Sequence, residues 1–312
     1  QIGADCEDDM IRNIIINEFY KDNLTTDADS VEECKHIQEE VSVQLDKFRF
    51  PLRKWMSNNS TILETIPNDG NIEVVPINDD ETVKTLGLQW HPNKDVFMFK
   101  IKSDQYERVT KRIALSTLAR IFDPIGWLAP FTTCVKLFIQ RLWMMKTGWD
   151  DELDDDLQKE WDVIMKSLPS LQGLTIPRWY KTTKSSKVEL HGFADASQKA
   201  YAAVVYIKVG SVISLVAAKS KVNAVKNRKM RPKLELCATH LLAKLVERIL
   251  STMQRQIEVN TWCDSTMTLS WINNIKRQRK IMLWRLGLML PGRMFKYEHG
   301  LEYIYKLVIS MS

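Results

Sequence analysis

Residues 187–220 read KVELHGFADASQKAYAAVVYIKVGSVISLVAAKS, three strand-patterned runs joined by short turns. Turns that short force antiparallel pairing, because a parallel return needs a crossover of a dozen residues or more. A basic loop then leads to a helix over about 232–253, a strand (QIEVNTWCD) and a short helix (STMTLSWI). Three antiparallel strands, a helix, a strand and a helix predict a compact α/β (mixed) unit. At the end of the first run, in the apolar middle of HGFADASQKAYAAVVY, stands one carboxylate, Asp195. Burying an acid is unfavourable unless a cation or a hydrogen-bond network compensates it.

Two further acids occupy apolar surroundings in this unit. Glu235 falls in the first turn of the long helix, beside the stripe Leu234, Ala238, Leu241, Leu242 and Leu245. Asp264 closes the fourth strand, just before a helix. If the first and fourth strands are neighbours, the two aspartates stand side by side and the helix sets Glu235 above them. Converging carboxylates repel one another, and hard divalent cations, which favour oxygen ligands, make them tolerable. Each acid alone reads more readily as a cap, a strand end or a surface charge. Their joint placement points to a metal site.

The whole chain of 312 residues is enough for two domains, with room for a third. Residues 11–20 (IRNIIINEFY) read as a strand; Ser30 with Glu33 has the spacing of a capping box opening a helix. LGLQWHPNKDVFMFKI reads as a hairpin around a Pro-Asn-Lys-Asp turn, and 109–147 as helical with a break at FDPIGWLAP. In WDDELDDDLQKEW the acids crowd a helix's first turns, where the helix dipole accounts for them. Net charge is +5, a mild pull toward anionic partners. Five scattered cysteines without a CxxC pair fit a reducing compartment. The N-terminus is unlike a signal peptide and lacks an initiator Met, which predicts a processed chain or a fragment. No stretch reaches the length of a membrane span.

FADAS, the PKLEL helix start and TWCDSTMTLSWI resemble the ribonuclease H segment of BEL/Pao-type retrotransposon Pol polyproteins. The resemblance implies a five-stranded mixed sheet flanked by helices, its last elements incomplete here. It also implies Mg²⁺-dependent cleavage (Mn²⁺ possible) of the RNA strand of an RNA–DNA hybrid, with Asp195, Glu235 and Asp264 as catalytic metal ligands. Upstream, LSTLARIFDPIGWLAPFTTCVKLFIQRLW resembles the region linking the polymerase palm to ribonuclease H, and EFYKDNLTTDADSVEE the end of the palm. The implied domains are 1–105 (palm end with hairpin, α+β), 106–180 (helical connection), 181–274 (ribonuclease H-like, truncated) and 275–312 (divergent tail). The implied location is intracellular, in the cytoplasm (in a virus-like particle) or in the nucleus, with the remainder of a Pol polyprotein as partner.

Two departures qualify these implications. The polymerase motif is degenerate: Tyr20-Lys21-Asp22-Asn23 has an amide where the family shows a second Asp, so polymerase activity is expected to be lost. Beyond Asn274 there is no Asp to serve as the family's fourth acid, Glu298 and Glu302 being the acids present. The alternative is therefore an inactive remnant or a nucleic-acid-binding module. The stretch between the third strand and the long helix carries Lys219, Lys221, Lys226, Arg228, Lys229, Arg231 and Lys233 without an acid. It is a candidate contact for nucleic-acid backbone, with a solvated loop as the plainer account. Trp262 and Trp271 read as core residues before base-stacking ones. An aspartic peptidase needs Asp-Ser/Thr-Gly, and Asp264-Ser265-Thr266 lacks the Gly.

Overall fold

The computed structural model describes residues 6–20, 23–66, 72–74, 82–85, 88–101, 106–183, 185–226, 228–253 and 255–273. The expectations for Lys21, Asp22 and the tail beyond residue 273 lie outside them. The chain divides into two compact units, residues 1–98 with 177–179, and residues 99–176 with 180–312.

In the first unit, the run read as a strand is a helix, Asp9–Asn17. The Asp8 carboxylate accepts hydrogen bonds from Met10 N at 2.7 Å and Ile11 N at 3.3 Å, satisfying two free donors at its start. Ile11, Ile14 and Ile15 then share one face and pack with Ile37, Val41 and Leu45. Those three come from the helix Val31–Lys47, which opens on the expected capping box. Ser30 Oγ accepts from Glu33 N, and the Glu33 carboxylate accepts from Asp29 N, both at 3.0 Å. The hairpin also forms, Leu88–His91 against Val96–Met98, with Trp90 opposite Phe97. Asp95 turns it at φ 51° and binds Trp90 Nε1 and the Arg178 guanidinium.

The second unit is built on a mixed sheet of four strands among the described residues. These are Val188–Ala196, Ala200–Val209, Val212–Val222 and Glu258–Cys263, in spatial order third, second, first, fourth. The first three pair antiparallel, and the fourth lies parallel to the first. The first strand alternates strictly, with Val188, Leu190, Gly192, Ala194 and Ala196 buried and the residues between them half-buried. The long helix Arg231–Met253 covers the buried face, adding Leu234, Ala238, Leu241, Leu242, Val246 and Ile249 to a common core.

The helices Lys111–Arg120 and Ala129–Met144 flank the expected break. In it the Asp123 carboxylate accepts from the backbone N–H of Gly126, Trp127 and Leu128 at 2.8–2.9 Å. The third strand is an edge, and an unpaired edge invites stray pairing. Here the break lies along it. Ala218 N donates to Ile125 O at 3.0 Å, and Trp127 Nε1 donates to Val216 O at 2.9 Å. Gly126, at φ +85°, is the residue that permits this approach, since a Cβ there would sit 1.8 Å from Ala218 O. Thr133 then meets Ser220 at 2.5 Å, and Gln140 Nε2 donates to Asn223 O at 2.6 Å. The acidic segment forms the helix Asp155–Lys166, capped by Asp154 with Asp155 and Asp156 in its first turn, as the dipole argument expects.

Candidate metal centre

Parallel pairing sets Cys263 opposite Ala194, so the next residue of each strand, Asp264 and Asp195, emerges at the same end of the sheet. Glu235 arrives from the long helix. It sits one turn in rather than in the first turn, because the helix already begins at Arg231, ahead of Pro232. Seven residues further along, on the same stripe, Leu242 packs onto Gly192 of the first strand. A Cβ at Gly192 would stand 2.7 Å from Leu242 Cδ1. The missing side chain thus lets the helix lie close enough to bring Glu235 over the strand ends.

One carboxylate oxygen from each of Asp195, Glu235 and Asp264 lies within 4.8 Å of the others. Among the described residues, this is the group of three potential ligand side chains that comes together. Glu235 is 6% exposed, Asp195 half-buried and Asp264 exposed. Burial, then Asp264, then Asp195 push the Glu235 carboxyl up to about 7, and Arg231 opposes the shift. Arg231 Nε stands 3.3 Å from Glu235 Oε1, one helical turn away, and its head remains open to solvent. Burial pushes the neighbouring Cys263 thiol up to about 11, and the three converging ligand atoms are all carboxylate oxygens.

The seven cations distribute differently from a single loop. Lys219 and Lys221 belong to the third strand, Lys226, Arg228 and Lys229 to the loop, and Arg231 and Lys233 to the long helix. All seven are exposed. Lys229 is pinned by its backbone N–H to Asn223 Oδ1 at 3.1 Å, and its Nζ approaches Cys237 Sγ at 3.1 Å. Neither of those partners was legible as part of the site, since Asn223 and Cys237 carry no motif. Trp262 stacks on Phe193 at 6.5 Å and 17°, while Trp271 is exposed. Tyr20 pairs with Asn23 in a two-residue-strand hairpin, Phe19–Tyr20 with Asn23–Leu24.

A family model described as "Pao retrotransposon-like RNaseH-like domain" matches residues 110–265, half of the chain and all three acids. No curated protein matches the chain. Among solved structures, a foamy viral protease-reverse transcriptase bound to double-stranded DNA is similar over 89% of this chain and 44% of its own. The TM-score is 0.52 and the identity 14%. A second foamy viral protease-reverse transcriptase with double-stranded DNA gives 0.50 and 14%, covering 89% of this chain and 53% of its own. This chain thus spans about half the length of those structures, and at such identity the likeness speaks to fold. The match across the connecting helices, the sheet and the three acids shows that the chain belongs to the Pao retrotransposon-like RNaseH-like domain family.

Proposed function

We propose that the second unit is a metal-dependent nuclease of the ribonuclease H type, cutting the RNA strand of RNA–DNA hybrids. The observation that carries this is the oxygen cluster of Asp195, Glu235 and Asp264 within 4.8 Å. The residues fit a hard divalent ion. Three carboxylates converge, and burial with the charges of Asp264 and Asp195 lets Glu235 hold its proton up to about 7. Mg²⁺ is the proposed ion, and Mn²⁺ would substitute for it. When bound, such ions lower the pKa of an attacking water and steady the leaving oxygen.

Asp195 and Asp264 would hold the ion from adjacent strand ends, and Glu235 would hold it from the helix. Arg231 favours the ionised form of Glu235 and offers guanidinium N–H groups to a phosphate oxygen. The exposed cations from Lys219 to Lys233 hold the nucleic-acid backbone, with affinity that falls as salt rises. The RNA strand is selected by its 2′-OH and A-like shape. Binding of double-stranded DNA by the foamy viral relatives supports a nucleic-acid partner. The remainder of a Pol polyprotein is the second proposed partner. The first unit is proposed to lack polymerase activity, because Asn23 is a neutral and poorer metal ligand; metal-dependent primer extension by the chain would contradict that.

The test is cleavage of an end-labelled hybrid in Mg²⁺ or Mn²⁺. Wild type cuts it and Asp195→Asn does not. Residues 275–312 contain no Asp, which favours a second reading as a nucleic-acid-binding unit without hydrolysis. Binding without cleavage by the wild type would select it.

A further inference from the structure

Two rows of exposed cations stand on the edge strand and on the long helix. Lys219 and Lys221 stand opposite Ala203 and Tyr201, residues of the helix-covered face. Both lysines therefore rise on the side of the edge strand that the helix flanks. On the helix, Lys233, Cys237, His240 and Lys244 recur at helical spacing and share one stripe. The loop between the two rows reaches the helix row at Lys229, whose Nζ is 3.1 Å from Cys237 Sγ. The strand row approaches the helix row at His240, whose imidazole is held below its ordinary range by burial and by Lys244 and Lys221. Its Nδ1 is buried without a hydrogen-bond partner among the described residues. None of Lys219, Lys221, Lys233 and Lys244 pairs with a carboxylate there; the ion pair of this stretch is Arg231–Glu235. The connecting helix meets the strand through Ser220, which alternates with Lys219 and Lys221 and so lies on the opposite face.

We infer that these two rows of cations form a second track for a nucleic-acid backbone, running away from the three-carboxylate centre along the long helix to Lys244. It rests on the nucleic-acid reading above and adds His240 and Lys244 to it. Unpaired cations in two facing rows suit a repeating phosphodiester better than a single anion. From Lys233 to Lys244 the helix rises about 16 Å, at 1.5 Å per residue. That length matches about five nucleotides at 3.4 Å each.

The test uses the full chain carrying Asp195→Asn, so that a bound hybrid stays uncut, and follows a 20-base-pair hybrid by fluorescence anisotropy across salt. Adding Lys221→Gln and Lys244→Gln is expected to weaken binding about tenfold and to lower the log–log salt slope by about 1.5–2. Adding Lys159→Gln and Lys166→Gln, on the remote helix Asp155–Lys166, should leave the slope unchanged. An unchanged slope in the Lys221/Lys244 variant overturns the track, as does no hybrid binding at all. Loss confined to a poly-glutamate probe overturns it too, marking an acidic-peptide surface instead. Cleavage by the wild-type centre is scored separately. Cleavage with an unchanged slope removes the track and keeps the nuclease; a lowered slope without cleavage does the reverse.

Discussion

Glu189 and Asp195 stand on the same strand and the same face, six residues apart, and the fold treats them in opposite ways. Glu189 lies among His191 at 3.1 Å, Lys208 at 3.5 Å and Lys187 at 3.6 Å. The His191 hydrogen bond, then the lysines, hold its carboxyl below the ordinary range despite some desolvation. Asp195 instead converges with two more acids, and their mutual repulsion adds to the burial that drives Glu235 upward. At Glu189 two lysines and a histidine surround one acid, whereas here three acids converge with Arg231 beside them. Like charges brought together in this way are a mark of a functional site.

The largest expected effect breaks the comparison at its functional end. Asp195→Asn should lower hybrid cleavage at least about a hundredfold, since even indirect supports of a metal site are worth ten- to a hundredfold. Glu189→Gln should leave cleavage within about twofold. Thermal unfolding without metal should move the other way: Asp195→Asn raises the melting temperature by relieving repulsion, and Glu189→Gln lowers it.

The seam along the edge strand comes next. Gly126→Ala forces a Cβ onto Ala218 O at a positive φ and should destabilise the chain by about 3 kcal/mol or more, read by chemical denaturation. Gly210→Ala, at φ +59° with open space around it, should lose only about 1–2 kcal/mol of backbone strain.

Glu235 provides the subtlest contrast. Its folded pKa of about 7 lies above the ordinary 4.5. Its contribution to stability is therefore fully present below about pH 4.5 and is lost as pH rises through about 7. The metal-free wild type should lose stability over that window relative to Glu235→Gln. Divalent affinity should fall about tenfold per pH unit below 7, as the proton competes, and titration calorimetry in two buffers should show proton release.

Much of this was legible. Short turns dictated antiparallel strands, and the parallel fourth strand then had to bring Asp264 to the end occupied by Asp195. The capping box at Ser30 and the acidic first turn at Asp155 followed from local hydrogen bonding and the dipole. IRNIIINEFY misled because β-branched isoleucines favour strands. Asp8 and the i, i+3, i+4 burial of Ile11, Ile14 and Ile15 outweighed that preference. The reach of FDPIGWLAP onto the edge strand was hidden, because Gly126 reveals its role only opposite Ala218. Gly192 under Leu242 was hidden for the same reason: the helix approach is a tertiary fact. The lysines resolved into strand, loop and helix because composition shows charge and not the face it occupies.

The central claim is that Asp195, Glu235 and Asp264 together hold a divalent cation. Its most direct test is titration of Mn²⁺ into the wild type, Asp195→Asn and Glu189→Gln, followed by water-proton relaxation at pH 8. The account predicts saturable binding by the wild type and Glu189→Gln and its loss in Asp195→Asn. Equal binding by all three, or none by the wild type, would contradict it.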